Sequence, residues 1–147
     1  MKISDHLYIY LWSNPRENNC NTILLDGKVP LMIDPGLSKY LTSLFQKMTQ
    51  DGFDSSKLKL VICTHGHPDH LEAAFALKSA GVKFAMSMEE ERYILNAGTS
   101  WYASQGKKMP ELNLDFYLKD GNLTVGKHEF DVIMTPGHSP GGISIYW

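Results

Sequence analysis

Three of the chain's six histidines fall in the run THGHPDH, residues 64–70, as His65, His67 and His70, with Asp69 between the last two. Imidazole nitrogens and carboxylate oxygens hold zinc, iron or manganese, and such groups are costly to bury without partners. Their density therefore points to a metal rather than to scattered surface histidines. His65 and His67 stand two apart where a strand ends, so alternate side chains can converge on one point beyond the sheet. Asp69 and His70 lie in the first turn of the next helix. The positive end of that helix favours the carboxylate and disfavours imidazolium, which keeps His70 able to donate a lone pair. A second loop, TPGHSPGG at residues 135–142, carries His138 directly after the apolar run VIM. With His65 and His67, His138 would complete a three-histidine site with one tetrahedral position left for water, the open coordination of catalytic zinc. Structural zinc closes its shell, often with cysteine, and only Cys20 and Cys63 are present. His6 and His128 are isolated and read as surface or structural residues. Neither Ser139 nor Cys63 has the neighbours of a nucleophile, and Ser139 reads as a stabiliser of the loop around His138.

Strands alternating with helices must position these groups. LYIYLW, NTILLDG and VPLMID read as early strands, the last two joined by a tight hairpin at Asp26-Gly27. An apolar stripe of Leu37, Tyr40, Leu41, Leu44, Phe45 and Met48 predicts a helix over residues 38–51, with Ser38 as N-cap and Gly52 as the stop. LKLVIC, residues 58–63, is too continuously apolar for a half-wetted strand and should lie inside a sheet. Pro68 suits a first helical position, so THGHPDH becomes a strand-to-helix loop and the helix runs on to Gly81. VKFAMS then reads as a strand and MEEERYILNAG as a short helix with acids in its first turn, followed by a loop or broken helix over 97–113. DFYL, NLTV, HEFDVIMT and ISIYW supply late strands, with turns at Asp120-Gly121 and Gly126-Lys127. Substrate specificity is expected in the loops, around 97–113 with Trp101 and Tyr102, and around Trp12 to Asn19.

The chain has 147 residues, a formal net charge of −2 and 20% charged residues, the composition of one globular domain. No basic footprint argues for nucleic acid or an anionic membrane. The N-terminus lacks a small-residue cleavage pattern, no apolar stretch approaches membrane-spanning length, and two distant cysteines do not make a disulfide framework. A cytoplasmic protein with a small-molecule substrate is the expectation.

THGHPDH, with IDPG upstream and TPGHSPGG downstream, resembles the motif series of the metallo-β-lactamase-fold hydrolases, in the right order and over essentially the whole chain. The closest flavour is the glyoxalase II-like, thioester-hydrolase branch, although lactamases, lactonases, phosphodiesterases and persulfide dioxygenases share these motifs. The resemblance implies an α/β (α+β) fold, an αββα sandwich of two sheets with helices on both outer faces. It makes His65, His67 and His138 ligands of a first metal, Asp69 and His70 ligands of a second, and Asp34 a supporting carboxylate. The implied reaction is hydrolysis of an ester, thioester or lactone by a metal-activated hydroxide, which Asp69 orients. Zinc is the expected ion, with iron or manganese as alternatives. The family pattern continues with an aspartate that bridges two metals and a last histidine. No acid or histidine follows His138 here. The chain therefore reads as the first half of the domain plus the start of the second, truncated, impaired in activity, and prone to self-association through the ISIYW edge. Two other readings stand beside it. One is an iron-dependent oxygenase resembling persulfide dioxygenase, and the other a non-catalytic metal-binding or assembly module.

Overall fold

The computed structural model describes residues 1–106 and 108–147. Among the described residues, nine strands form two sheets. The larger has the order β1 (Leu7–Tyr10), β2 (Thr22–Leu25), β3 (Leu31–Ile33), β4 (Leu60–Ile62), β5 (Lys83–Ser87) and β6 (Phe116–Leu118). The smaller is β7 (Gly121–Val125), β8 (His128–Met134) and β9 (Ile143–Tyr146), antiparallel throughout. β1, β2 and β3 also pair antiparallel, whereas β3 through β6 run parallel. Parallel neighbours need crossovers, and helices provide them. α1 (Leu41–Gln50) joins β3 to β4, α2 (Pro68–Ser79) joins β4 to β5, and α3 (Met88–Tyr93) begins the return to β6.

LKLVIC is buried as expected. Leu60, Val61 and Ile62 are at most 4% exposed, because one face of β4 meets the helices and the other meets the smaller sheet. The helix-side core holds Leu44 and Met48 of α1, Leu71, Ala74 and Leu77 of α2, and Phe84 and Met86 of β5. Leu25, Leu31, Ile62 and Ala85 face Phe130, Val132 and Ile143 between the sheets. Each of the larger of these side chains removed from water contributes about 1.5–3 kcal/mol, the alanines less. The layers are thus helix, sheet, sheet, the order of an αββα sandwich up to its fourth layer. No helix is long and apolar enough to cross a membrane among the described residues.

Three local expectations need correction. The β2–β3 connection is not a two-residue turn at Asp26-Gly27. Leu25 pairs with Leu31, so residues 26–30 form the loop. Pro30 cannot donate to a ladder, and the Asp26 carbonyl is taken by His128 Nε2 at 2.9 Å. Ser38 does not cap the first helix: it opens a 3-10 turn over Ser38–Tyr40, its N–H donates to Glu72 Oε2 at 3.1 Å, and α1 proper starts at Leu41. Beyond α3 the helix does not stop. It widens into a π-type turn over Ile94–Gly98 and continues as α4 (Thr99–Ser104), so of the loop or broken helix expected over 97–113 the start is the broken helix. Lys107 of that segment lies outside the described residues. Ser139 holds its loop through its backbone, its carbonyl accepting from Gly137 N–H at 3.0 Å, while its buried hydroxyl makes no hydrogen bond. The β7–β8 hairpin does turn at Gly126-Lys127, where Val125 pairs with His128.

Candidate metal centre

β3, β4 and β5 are parallel; β3 and β4 end side by side, Ile33 beside Ile62, and β5 runs two residues past Ala85, the partner of Ile62, to Ser87. Their carboxyl ends therefore open onto one rim, where open α/β sheets place ligands. Asp34 leaves β3 there, THGHPDH leaves β4, and Ser87 ends β5. The β8–β9 connection reaches the same rim from the smaller sheet, because Ile143 N–H donates to the Thr64 carbonyl at 3.0 Å.

One donor nitrogen from each of His65, His67 and His138 lies within 4.8 Å of the others. Ring centroids are 4.8 Å apart for His65–His67, 5.0 Å for His65–His138 and 4.6 Å for His67–His138. His65 is buried, His67 half-buried and His138 exposed. His70 stands against His65 at 4.1 Å between centroids, and Asp69 Oδ2 is 3.8 Å from His70 Nε2, so both flank the trio without joining it. His6 and His128 sit elsewhere, and His128 is buried against Phe130 and Trp147.

Asp34 lies at φ +53°, a left-handed conformation unusual for a residue with a side chain. Its carbonyl accepts from Thr22 Oγ1 at 2.7 Å, and its amide donates to the Ile62 carbonyl at 2.9 Å. The carboxylate accepts from Thr64 N–H and Thr64 Oγ1, each at 2.7 Å, and from His70 Nδ1 at 2.9 Å. Because a carboxylate only accepts, the single Thr64 hydroxyl proton points at Asp34. Thr64 Oγ1, 3.1 Å from His65 Nδ1, is then the acceptor of an Nδ1–H. Neutral His65 is left with its lone pair on Nε2, and that atom is buried with no hydrogen-bond partner. A buried, unsatisfied lone pair among two further imidazoles fits a cation.

Burial lowers the His65 pKa to about 4, with neighbouring His70 adding to the effect and Asp34 opposing it. Burial also works against protonated His70, but the Asp34 hydrogen bond and the Asp34 and Asp69 charges outweigh it and raise that pKa, so in the metal-free chain these carboxylates favour the imidazolium that the helix start was expected to disfavour.

Sequence reasoning missed two contributors. One is Thr64, whose hydroxyl relays Asp34 to His65. The other is Glu90, which reads as one of three acids in the first turn of α3 but is fully buried. The available signal was Ser87-x-x-Glu90, a capping-box pattern. Ser87 Oγ does accept from Glu90 N–H at 3.1 Å. The Glu90 carboxylate, however, leaves its own helix for Gly66 and Gly141.

Beside His67 lies a cavity of about 320 Å³, lined by Leu71, Tyr93, Ile94, Trp101 and Tyr102 among others. The loop around Trp12 contributes nothing to it. Trp12 packs on Tyr40 at 4.4 Å between centroids, and its Nε1–H donates to the Glu17 carbonyl.

Among curated proteins, the hydroxyacylglutathione hydrolase GloC of Haemophilus influenzae is 30% identical over 135 residues, covering 86% of this chain and 59% of that protein. A probable metallo-hydrolase of Methanocaldococcus jannaschii is 26% identical over 129 residues, covering 86% and 62%. The chain thus spans about three fifths of the length of these relatives. Among solved structures, a beta-lactamase from Chitinophaga pinensis matches with a TM-score of 0.80 and 23% identity, over 98% of this chain and 54% of that one. The metallo-beta-lactamase of Legionella gormanii matches with a TM-score of 0.75 and 22% identity, over 85% and 50%. These two structures share the fold. The sequence profile of the metallo-beta-lactamase superfamily covers residues 15–147, from before β2 through both histidine loops, and the chain belongs to that superfamily.

Proposed function

We propose that this chain carries the metal centre of a hydrolase that cleaves an ester, thioester or lactone. The observation that carries the reading is the convergence of three imidazoles within 4.8 Å, with His65 Nε2 buried and unpartnered. His65, His67 and His138 would hold the ion, which an all-nitrogen donor set with an open position suits to zinc. Asp69 and His70 offer two donors toward a second. A bound divalent cation supplies Lewis acidity, which lowers the pKa of water to about 7 and polarises a carbonyl oxygen. Asp69, at the rim beside His70, orients the attacking water and accepts its proton. Asp34 and Thr64 keep His65 in the tautomer that presents Nε2. The cavity beside His67 takes an apolar part of the substrate, since the side chains lining it are mostly aromatic and aliphatic. The likeness to a hydroxyacylglutathione hydrolase favours the thioester among the three bonds.

Elemental analysis and hydrolysis assays on a thioester, an aryl ester and a lactone, with Zn²⁺ supplied, test the reading. One tightly held equivalent per chain is expected, with weak turnover at most. His65→Ala, His67→Ala and His138→Ala should each lose metal and turnover together, by more than the roughly 10- to 100-fold typical of changing an outer partner. Variants that keep both overturn the assignment, and so does a wild-type chain that binds no metal.

A further inference from the structure

We infer that Glu90 is a positioning residue whose buried carboxylate locks the two histidine-bearing loops together, building the metal centre before an ion arrives. The inference rests on the metal-binding reading above. Glu90 is 0% exposed, and its two oxygens go to different loops. Oε1 accepts from Gly66 N–H at 2.8 Å, and Gly66 stands between His65 and His67. Oε2 accepts from Gly141 N–H at 2.8 Å, three residues after His138. One side chain thus ties the peptide between two candidate ligands to the loop that carries the third.

The surroundings leave this carboxylate little freedom. Ser87 Oγ donates to the Gly141 carbonyl at 2.5 Å while accepting from Glu90 N–H, so the start of α3 grips both sides of the same residue. Both partners of Glu90 are glycines for a steric reason. A Cβ on Gly66 would overlap Ile94 Cδ1 and come within 3.2 Å of Glu90 Oε1, and a Cβ on Gly141 would overlap the Glu90 backbone nitrogen. Two inward-pointing N–H groups require two acceptors. A carboxylate supplies them, whereas an amide would turn an N–H against one of them. An acid serving only as a helix cap would have returned to the Ser87 amide, and Glu90 does not. Outer partners of this kind fix ligand orientation, and their loss commonly weakens metal binding about 10- to 100-fold.

Cobalt(II) titration against a chromophoric chelator tests the inference, because the visible spectrum of Co²⁺ reports ligand geometry independently of turnover. Glu90→Gln should weaken Co²⁺ binding by about 10- to 100-fold and alter the spectrum of the bound ion. A folded Glu90→Gln protein with lower thermal stability but wild-type affinity and spectrum would make Glu90 merely structural and overturn the inference. Amide hydrogen exchange on the metal-free wild-type chain needs no variant and decides the matter should Glu90→Gln fail to fold. Gly66 and Gly141 should both be protected without metal. Exchange at the rate of exposed loop amides would overturn the inference. A wild-type chain that binds no Co²⁺ would defeat the metal reading, and the exchange result would still judge the lock separately.

Discussion

A proton assignment runs through the centre of the molecule. Asp34 accepts a hydrogen bond from the Thr64 hydroxyl, Thr64 Oγ1 accepts one from His65 Nδ1–H, and His65 Nε2 has no hydrogen-bond partner among the described residues. The same carboxylate holds His70 by Nδ1, so one acid governs both imidazoles. This gives the metal-free chain two opposite pH responses. His65 titrates at about 4 in the folded chain and near its ordinary 6.5 when unfolded. Between those values the unfolded state binds the extra proton, so the His65 contribution is intact above about 6.5 and is lost as pH falls toward 4. His70 runs the other way. Its folded pKa is raised, so its contribution is full below about 6.5 and disappears as pH climbs through the raised value. Histidine ring signals in NMR spectra of the metal-free protein should show His65 unmoved down to about pH 5 and His70 titrating above its ordinary value. Joint titration of the two rings near the ordinary histidine pKa would contradict the burial and the Asp34 contact. Asp34 was legible as a supporting carboxylate only through the resemblance of IDPG to the family's motif, since Asp-Pro-Gly by itself marks no more than a turn after a strand. Thr64 was not, since its partner is thirty residues upstream.

At the scale of elements, three parallel strands whose carboxyl ends open onto one rim do most of the positioning. β4 is apolar enough to be recognised as an interior strand, and Pro68 starts α2 where the sequence says it should. The close approach of α3 to both histidine loops is a different matter. No periodicity reports it, because the contact is made by an acid and two glycines far apart in the chain. It predicts an asymmetry between two substitutions. Gly66→Ala presses on the tip of the Ile94 side chain, which can rotate away, whereas Gly141→Ala meets the Glu90 backbone. Urea unfolding should show a cost of about 1–3 kcal/mol for Gly66→Ala and a larger one for Gly141→Ala. Equal costs would mean that α3 yields as readily as a side chain.

On the scale of the whole molecule, the helix, sheet, sheet order leaves the outer face of the smaller sheet in solvent. Ile133, Tyr146 and Trp147 are 47%, 72% and 50% exposed there and at its end. β9 pairs with β8 on one side and has no strand on the other among the described residues. An open edge beside exposed apolar side chains is a template for another chain. We propose that the 147-residue chain by itself self-associates, and sedimentation velocity over a wide concentration range should then show a rising average mass. A constant monomer mass would remove that expectation.

Sequence alone pointed to the family, the interior strand and three candidate histidine ligands, because metal-ligand chemistry restricts residue types and their spacing within each loop, and the motifs follow in order along the chain. It also placed the break between strand and helix at Pro68, a backbone constraint local to one residue. Only the tertiary structure decided that His138 meets His65 and His67, that Thr64 sets a tautomer, and that Glu90 joins two loops rather than capping its own helix. Those outcomes depend on contacts between positions tens of residues apart, where sheet packing sets the distances and local sequence carries no record of them.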